Sequence, residues 1–406
     1  MSRPVQPVLA YLLPDPGIPV GGTKGASVHV ESLTSALARA GARVVLFAAN
    51  VVGPLQAPGS ETVEVVPVPV GPVRGGDDFE KSRTRAATRF FDTVATRLQT
   101  LRPDWVHERL SLFAGAGTAL CAGAGLPRVV EVNAPVAEER ARHFGLSDLG
   151  AAHAREREAL AGARVLAVSE PLVRWARRQG AAEAVVVPNG ADTATLDPVR
   201  WARHRATTRQ QLGLTGRVVI GFAGSLKPWH GVDVLIEALH QTRTNEPLGL
   251  LVVGDGPGRT RLAEQVEGLA PAIHPVLTGA VPFAVVPRML AAMDIAVAPY
   301  LPSQDFYFSP LKVAEAMSAG LAVVASDFAP VRELLAGTGR LVRPGDAAEL
   351  AEVLAELADN PTVRAELART ARQRAVDRLD WAAVARRTLD FSMAASLEGT
   401  PAARSA

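Results

Sequence analysis

The sequence predicts an α/β protein with two doubly wound, Rossmann-like parallel-sheet domains. The chain has 406 residues, of which 48% are hydrophobic, and this is enough for two cores of ordinary size. Short apolar runs are each followed by a turn and a helix-length segment, which is typical of parallel strands joined by crossover helices. The alternation stops between residues 188 and 214 and then resumes, so we expect one sheet in each half.

The predicted strands are short apolar runs bounded by turn residues. In the first half they are VLAYLL (8–13), RVVLFAA (43–49), DWVHER (104–109), RVVEVN (128–133), RVLAVS (164–169) and AVVVPN (184–189). In the second half they are RVVIGFAGS (217–225), LGLLVVGDG (248–256), IHPVLTG (273–279), DIAVAPY (294–300), LAVVASD (321–327) and GRLVRPGD (339–346).

The break between the two series sets the domain boundaries. The first domain is expected to span residues 1–195 and the second residues 196–376. An amphipathic helix at 377–393 is left over once the second sheet is complete, and we expect it to pack back on the first domain. The final segment, 394–406, has little to bury and is expected to be disordered.

Composition excludes several classes of protein. The 43 Lys and Arg residues against 41 Asp and Glu residues give a net charge of +2, which argues against nucleic acid as a partner. A single cysteine, Cys121, rules out an intramolecular disulfide and fits a reducing compartment. No signal peptide or membrane span is predicted, so we expect a cytoplasmic protein, with peripheral membrane contact left open.

Ligands of open α/β sheets bind outside the carboxyl ends of the strands, where glycine turns and helix N-termini present N–H groups to anions. The first such turn holds Gly21, Gly22 and Gly25 after the first strand, where backbone at Gly22 could approach a phosphate or sugar. The turn is not GxGxxG and no acidic residue closes the second strand, which disfavours a dehydrogenase. A plain flexible loop is the alternative interpretation.

The second turn follows the strand that opens the second half of the chain. It contains Gly224, Ser225, Lys227 and His230 and leads directly into a helix. A surface lysine or a lone histidine is usually solvated or structural, but their joint position after a buried strand favours anion binding.

The third turn precedes a helix that we expect to begin near Ser309 and Pro310, with the serine hydroxyl as its N-cap. Lys312 then lies in the first turn and Glu315 one turn later on the same side of the helix. An intrahelical ion pair is the simple interpretation. The apolar continuation AMSAG favours another, in which the cation faces a phosphate and the carboxylate accepts ribose hydroxyls.

Taken in order, these segments resemble the retaining glycosyltransferases of the GT-B fold, specifically family 4. The resemblance implies that the two domains face each other across a cleft. The resemblance covers nearly the whole chain. It is carried by VVVPNGAD (185–192), FAGSLKPWHGVDVLIEAL (222–239), LLVVGDGPGRTRLAE (250–264), LTGAVP (277–282), FYFSPLKVAEAMSAG (306–320) and ASDFAPVREL (325–334).

This resemblance implies transfer of a sugar from a nucleotide-sugar, held mainly by the second domain, to an acceptor held mainly by the first. The anomeric configuration would be retained and no metal or other cofactor is expected. A UDP-sugar is the first choice of donor and a GDP-sugar the second. The acceptor could be a small molecule, a lipid-linked sugar or a glycan.

The resemblance also assigns roles to individual residues. Glu315 matches the second glutamate of the family's E-x7-E signature, which binds the ribose, whereas the first glutamate falls at Tyr307. The family's diphosphate-binding Arg and Lys fall at Ser225 and His230. Lys227 and Lys312 are expected to restore the missing positive charge, with His230 helping as a cation or as a neutral donor.

The remaining donor contacts implied by the resemblance are mostly backbone. Gly224, Gly254, Gly279 and Val281 would surround the nucleotide, and the backbone of Phe308, Ser309, Pro310 and Leu311 would replace the lost glutamate.

Asn133, in VVEVNAP (129–135), stands where many relatives have a histidine near the reacting sugar. With no titratable group at this position, the leaving diphosphate itself would accept the proton of the acceptor, while Lys227 and Lys312 stabilise its charge. These three residues are therefore the predicted catalytic set.

Several interpretations stay open. A sugar-nucleotide epimerase can share the architecture, and the departures at Ser225, His230 and Tyr307 are compatible with a catalytically silent nucleotide-binding subunit. The strand-end charges His107, Glu108, Arg109 and Glu131 fit a structural or an acceptor-binding role equally well.

Overall fold

A computed structural model describes residues 6–22, 24–76, 79–303 and 305–398, and these residues form two units. The first unit takes the described residues of Met1–Pro188 and Trp381–Ala406, and the second is Asn189–Asp380. None of the helices in the described ranges is both long enough and apolar enough to cross a membrane.

The first unit contains a parallel sheet of seven strands in the order β3-β2-β1-β4-β5-β6-β7. The strands are β1 (Val8–Leu13), β2 (Arg43–Ala48), β3 (Glu64–Pro67), β4 (Trp105–Arg109), β5 (Arg128–Val132), β6 (Arg164–Ala167) and β7 (Glu183–Val186). The helices are α1 (Gly25–Arg39), α2 (Phe79–Leu101), α3 (Gly117–Ala124), α4 (Val136–Phe144), α5 (Leu149–Leu160) and α6 (Glu170–Arg178).

The second unit contains a parallel sheet of six strands in the order β10-β9-β8-β11-β12-β13. The strands are β8 (Val218–Ala223), β9 (Leu248–Val253), β10 (Ile273–Gly279), β11 (Ile295–Ala298), β12 (Ala322–Ser326) and β13 (Arg340–Val342). The helices are α7 (Pro198–Gln211), α8 (Val232–Gln241), α9 (Arg259–Glu267), α10 (Val286–Ala291), α11 (Leu311–Ser318), α12 (Ala329–Leu335), α13 (Ala347–Asp359) and α14 (Pro361–Arg374).

The last helix, α15 (Trp381–Glu398), follows a π-helical turn at Ala375–Leu379 and packs on α1 in the first unit. Our predicted boundaries lay after residue 195 and after residue 376, whereas the units meet at Pro188 and Asp380. The reason is that Ala191 N–H donates to the Leu379 carbonyl at 2.8 Å, so both connecting segments are held together in the second unit.

The predicted disordered tail began at residue 394, but α15 continues to Glu398. The rest of that tail, residues 399–406, lies outside the described residues. Strand β3 was missed because its sequence, EVVP, is short and ends in proline, which suits the sheet edge that it occupies.

Both sheets reverse their strand order once, at β1/β4 and at β8/β11. Such a switch point leaves a crevice at the carboxyl ends of the two strands because the flanking connections leave in opposite directions. The polar residues described next lie at these two places.

Candidate functional site

Backbone segments at the carboxyl ends of β8, β9 and β11 lie in direct contact. A Cβ atom on Gly254 would lie 1.9 Å from the Gly224 carbonyl oxygen, and one on Gly231 would lie 1.8 Å from that of Pro299. Glycine is therefore required at both positions, whose φ angles are +140° and +66°. This close packing brings the turn after β8 against the chain that leads to α11.

Lys312 is the central side chain of this edge. Its ammonium nitrogen lies 4.3 Å from the ring centroid of Phe222 and 5.3 Å from that of Tyr300, which is the geometry of cation–π contacts. Among the described residues this nitrogen has no hydrogen-bond partner, although it is shielded from solvent. A buried ammonium without an anion is unfavourable unless a ligand supplies one.

The electrostatics of Lys312 reflect this environment. Burial lowers the pKa of its ammonium to about 7, while the Glu315 carboxylate opposes the shift and Lys227 adds to it. Glu315 lies one turn along α11, and burial raises the pKa of its carboxyl group, against the effect of Lys312. The two groups are thus close enough to interact, as predicted for neighbours on one helix face.

Lys227 and Ser225 are exposed in the turn after β8. The Lys227 ammonium lies 5.0 Å from the ring centroid of Trp229, and it contributes to the positive potential at Lys312. The second cation that the sequence predicted is therefore next to the first.

His230 differs from its predicted role as a cation or neutral donor. Burial, Lys312 and Lys227 lower its pKa to about 3, against a hydrogen bond with the Ser225 backbone. Its Nδ1 lies 2.6 Å from the Ser225 carbonyl oxygen and must carry the proton, because a carbonyl can only accept. The neutral ring then has no N–H left on Nε2, so His230 positions the turn and cannot donate to an anion.

The start of α11 also differs from the prediction. The helix begins at Leu311 with Pro310 as its cap, and no side chain caps it. The Ser309 hydroxyl, predicted as the N-cap, accepts the Asn189 backbone N–H at 3.0 Å, and the Asn189 amide donates to the Ser309 carbonyl at 2.6 Å. As the first two helical residues, Leu311 and Lys312 have backbone N–H groups without acceptors inside the helix.

Aromatic rings fill the loop before α11. Tyr307, at the position of the missing glutamate, is buried and packs on Phe308 with ring centroids 4.4 Å apart. Phe306 stacks on Phe328 at 4.1 Å. These contacts hold the segment from Phe308 to Leu311, whose backbone was predicted to bind the sugar.

Two further predicted residues lie at the end of β10. Gly279 has a φ of +70°, and a Cβ there would lie 2.4 Å from the Arg259 guanidinium. Its carbonyl accepts the Gly254 N–H at 3.0 Å, and Val281 packs, partly buried, on the core that contains Val253. Gly254, Gly279 and Val281 are thus grouped at one edge of the second sheet.

The two other predicted residues, Gly22 and Asn133, belong to the first unit. Gly22 precedes α1, and a Cβ on it would lie 3.2 Å from the hydroxyl of Ser27. Asn133 follows β5, and its amide donates to the Glu131 carboxylate. Asn133 therefore belongs to a polar cluster at the switch point of the first sheet.

Glu131 is the centre of that cluster. One carboxylate oxygen accepts the Tyr11 hydroxyl at 2.8 Å and lies 3.0 Å from His107 Nε2. The other lies 2.5 Å from Arg109 Nη1 and 2.9 Å from His29 Nε2. Although burial favours its neutral form, His29 and Arg109, together with hydrogen bonds from His107 and His29, hold the pKa of Glu131 well below the usual value.

Strand register explains why these residues meet. Tyr11 is opposite His107 and Arg109 is opposite Glu131 in the parallel ladder. Since residues two apart share a face, all four lie on one side of the sheet. Glu108 points to the other side, where it accepts from Arg128 at 2.7 Å, so its role is structural.

Sequence reasoning singled out the charged residues at these strand ends but did not find Tyr11 or His29. Tyr11 lies within the apolar run VLAYLL and His29 within a helix, so neither has a local signal. The alternating charges in HER and the glutamate of VVEVN were the available indication that one face of the sheet is polar.

Comparison with known families gives two matches. The Glycosyltransferase Family 4 profile matches residues 23–195, and the Glycosyl transferases group 1 profile matches residues 217–360. The two matched regions correspond to the two units described above.

Curated relatives include three bacterial enzymes. Phosphatidyl-myo-inositol mannosyltransferase of Mycolicibacterium smegmatis is 32% identical over 222 residues, which are 54% of this chain and 54% of that protein. GDP-mannose-dependent alpha-(1-6)-phosphatidylinositol monomannoside mannosyltransferase of the same organism is 27% identical, over 82% of this chain and 90% of that protein. Glycogen synthase of Mycobacterium tuberculosis is 29% identical, over 94% of this chain and 92% of that protein. The match to the first of these spans about half of that relative's length.

Solved structures with this fold include Anabaena HepE in complex with UDP, with a TM-score of 0.69 and 20% identity over 96% of this chain and 100% of that one. Sucrose-phosphate synthase from Thermosynechococcus elongatus has a TM-score of 0.73 and 19% identity, over 96% of this chain and 98% of that one. These likenesses confirm the predicted fold class, in which each domain is a Rossmann-like parallel sheet.

Proposed function

We propose that this chain, which belongs to glycosyltransferase family 4, moves a sugar from a nucleotide-sugar to a hydroxyl or other nucleophile of an acceptor, with retention of configuration. The observation that carries the proposal is Lys312. Its shielded ammonium lies at the switch point of the second sheet with no hydrogen-bond partner in the described residues. A diphosphate there would supply the missing anion.

The donor site proposed here has three parts. Lys312 and the exposed Lys227 take the diphosphate, together with the N–H groups of the first turn of α11. Glu315, one turn further along the helix, accepts hydrogen bonds from the ribose. Burial raises the pKa of this carboxyl group, and the neighbouring Lys312 opposes the shift.

The transfer itself needs assistance to the leaving group. The bond from the anomeric carbon to the phosphate oxygen breaks, and a new bond to the acceptor oxygen forms on the same face of the sugar. The acceptor's proton passes to the departing phosphate oxygen, so no enzymic base is required. Lys227 and Lys312 stabilise the charge that develops on the diphosphate, and no metal takes part in this step.

The donor is proposed to be a UDP-sugar first and a GDP-sugar second. UDP is supported by the HepE complexes with UDP and UDP-glucose, and GDP by the relative whose name specifies GDP-mannose. For the acceptor, the names of relatives specify a phosphatidylinositol lipid in one case and glycogen synthesis in another. A lipid-linked or glycan acceptor held by the first unit is therefore the proposal.

A thermal-shift panel of UDP, GDP, ADP and dTDP with their sugars tests the donor site. A ligand at 100 times its dissociation constant raises the free energy of unfolding of the protein by about 2.7 kcal/mol. We expect a UDP- or GDP-sugar to give this shift, Lys312→Ala to abolish it, and the exposed Lys81→Ala on α2 to leave it unchanged. Equal shifts for both variants would contradict the site.

Turnover assays separate the rival functions. Transfer predicts release of free nucleotide that depends on an added acceptor, with a product of the donor's anomeric configuration by NMR. An epimerase would interconvert two nucleotide-sugars without acceptor, and a silent subunit would bind without turnover. Donor affinity measured by calorimetry should be the same with and without EDTA.

A further inference from the structure

Three metal-ligating side chains meet on helices α4 and α5 of the first unit. They are Glu138 on α4 and, one turn apart on α5, His153 and Glu156. One ligand atom from each lies within 4.8 Å of the other two, and His153 Nε2 is 3.1 Å from Glu138 Oε1. This cluster is separate from the residues to which the donor site has been assigned.

Glu156 distinguishes this cluster from an ordinary surface ion pair. Glu156 is almost fully buried, with 2% of its surface exposed. One carboxylate oxygen, Oε1, accepts the Ala137 backbone N–H at 2.8 Å. The other, Oε2, is buried and has no hydrogen-bond partner among the residues that the structure describes. A buried carboxylate oxygen without a partner is costly, and a cation would remove that cost.

The other two ligands have free coordinating atoms as well. In the described part of the chain, Glu138 Oε2 and His153 Nε2 are buried atoms that make no hydrogen bond, although Nε2 lies 3.1 Å from Glu138 Oε1. Ligand atoms about 2.0–2.1 Å from a tetrahedral ion lie roughly 3.3 Å from each other. The distance of 3.1 Å between His153 Nε2 and Glu138 Oε1 is already close to this value, so Glu156 is the side chain that would move inward.

The surroundings favour a fixed site. Ala137 and Ala152 are fully buried between the two helices, in an apolar cluster with Leu112 and Phe113. The hydrogen bond from Ala137 orients Glu156 from behind, as outer-shell partners do for ligands of known metal sites. Because the ligands lie on two packed helices and one carboxylate is already oriented, ion binding would cost little side-chain conformational entropy.

We propose that Glu138, His153 and Glu156 bind a first-row divalent metal ion, with zinc as the reference ion. One imidazole and two carboxylates suit zinc or manganese better than calcium or magnesium, which prefer oxygen ligands alone. The three protein ligands leave a position for water. The ion joins α4 to α5 and thereby fixes the start of α4, which follows Asn133 in the chain.

Cobalt provides a direct test because its visible absorption reports the ligands. Full-length protein is stripped with EDTA, dialysed and titrated with Co²⁺, and Zn²⁺ is then added in competition. We expect one Co²⁺ per chain with ligand-field bands that Zn²⁺ abolishes, and a thermal midpoint that rises with Zn²⁺.

The variants decide whether these three residues are the ligands. His153→Ala and Glu156→Gln should each weaken Zn²⁺ binding by at least about tenfold, the lower end of what even outer-shell changes cost. The glutamine can still accept from Ala137, so near-UV circular dichroism should stay unchanged in that variant. His143→Ala, which removes an exposed histidine from α4, should bind like the parent protein.

The proposal is overturned if the stripped protein binds no Co²⁺, or if binding survives in Glu156→Gln or is lost in His143→Ala. Failure of this site would leave the donor panel unaffected, because that panel reports on Lys312 in the second unit and is run without added metal.

Discussion

Lys312 and Glu131 are both shielded charged groups, but their partners differ. Glu131 is in contact with two histidines, an arginine, a tyrosine and an asparagine, which together fill its lone pairs. Lys312 has two aromatic faces and no hydrogen bond within the described residues. A saturated carboxylate stabilises its unit, whereas an unsatisfied ammonium is prepared for a ligand.

Donor binding is predicted to depend on the protonation of Lys312. Its pKa is about 7 in the free protein, and a bound diphosphate would raise it, so binding takes up a proton. The affinity for an intact UDP- or GDP-sugar should be full below about pH 7 and fall by up to about tenfold per pH unit above it. Calorimetry from pH 6 to pH 9, a range chosen about this pKa, measures the effect.

Lys312→Met should bind the donor weakly with a flat pH profile, whereas Lys81→Met should reproduce the parent profile. A parent affinity that does not change across this range would mean that Lys312 is not in contact with the diphosphate.

The same lysine is predicted to reduce the stability of the free protein. The depressed pKa means that between about pH 7 and 10.5 the unfolded chain binds the proton more tightly, so stability rises with pH across that window. Lys312→Met should therefore raise the free energy of unfolding at pH 7 by on the order of 1–2 kcal/mol. Denaturant titration of parent and variant without ligand checks this, and a less stable variant would contradict it.

Glu131→Gln is predicted to destabilise the first unit. It leaves the buried charge of Arg109 without its anion, which costs about 3 kcal/mol. The loss should be visible at pH 7, because a carboxyl group with a depressed pKa contributes fully above its unfolded value and loses that contribution as the pH falls through the folded value.

Glu64→Gln is the matched control, since Glu64 pairs with Arg43 at the sheet edge with both side chains 54% exposed. It should change the free energy of unfolding by less than about 1 kcal/mol. Equal effects of the two substitutions in urea denaturation would show that the buried cluster is not stabilising.

At the scale of elements, glycines at strand ends allow the loops of the second sheet to meet. The carbonyl of Gly224 occupies the place where a side chain on Gly254 would begin. The turn after β8 is thereby packed against the end of β9, and its lysine and histidine interact electrostatically with Lys312 of α11. Motif reasoning identified these glycines, but the contact between them comes from the sheet order.

Gly254→Ala is predicted to cost about 3 kcal/mol or more and to abolish donor binding. The new Cβ would lie 1.9 Å from the Gly224 oxygen, at a φ of +140° that L residues rarely adopt. Gly123→Ala is the control, because Gly123 lies in α3 with open space around it. That change should be neutral or stabilise by up to about 1 kcal/mol. Thermal denaturation with and without donor measures both, and unimpaired binding by Gly254→Ala would contradict the packing argument.

At the scale of the whole molecule, the chain forms one unit from a single segment and the other unit from two segments that are distant in sequence. The second unit is a single segment, Asn189–Asp380, closed by the Ala191–Leu379 hydrogen bond near its two ends. The first unit requires α15, whose Trp381 lies against His29 with ring centroids 5.5 Å apart. The last helix therefore completes a unit that began at the other end of the chain.

A fragment of residues 189–380 is predicted to fold cooperatively and to bind the nucleotide-sugar that the full chain prefers. All the predicted site residues except Gly22 and Asn133 lie within it, and its sheet has its own core on both faces. Circular dichroism and calorimetry test this, with the Lys312→Ala fragment as the control. A folded fragment that binds equally well with and without Lys312 would place the nucleotide elsewhere.

The prediction from sequence succeeded where the signal is local and failed where contacts decide. The apolar run at 8–13 coincides with β1, because a buried parallel strand needs a continuous apolar stretch. The hydroxyl of Ser309 suggested a helix cap, but it accepts a hydrogen bond from Asn189, which is 120 residues away in the chain. His230 was expected to donate to a ligand, yet its N–H is used by the Ser225 carbonyl.

The sequence by itself determined the two sheets, the order of the turns and the positions of Lys312 and Glu315 on one helix, since these follow from periodicity and neighbouring residues. The tertiary structure alone decided which charges are satisfied. It surrounded Glu131 with residues from β1, α1 and β4, and left Lys312 between two aromatic rings. Protonation and hydrogen bonding depend on burial and on partners that are distant in the chain, and no local pattern encodes either.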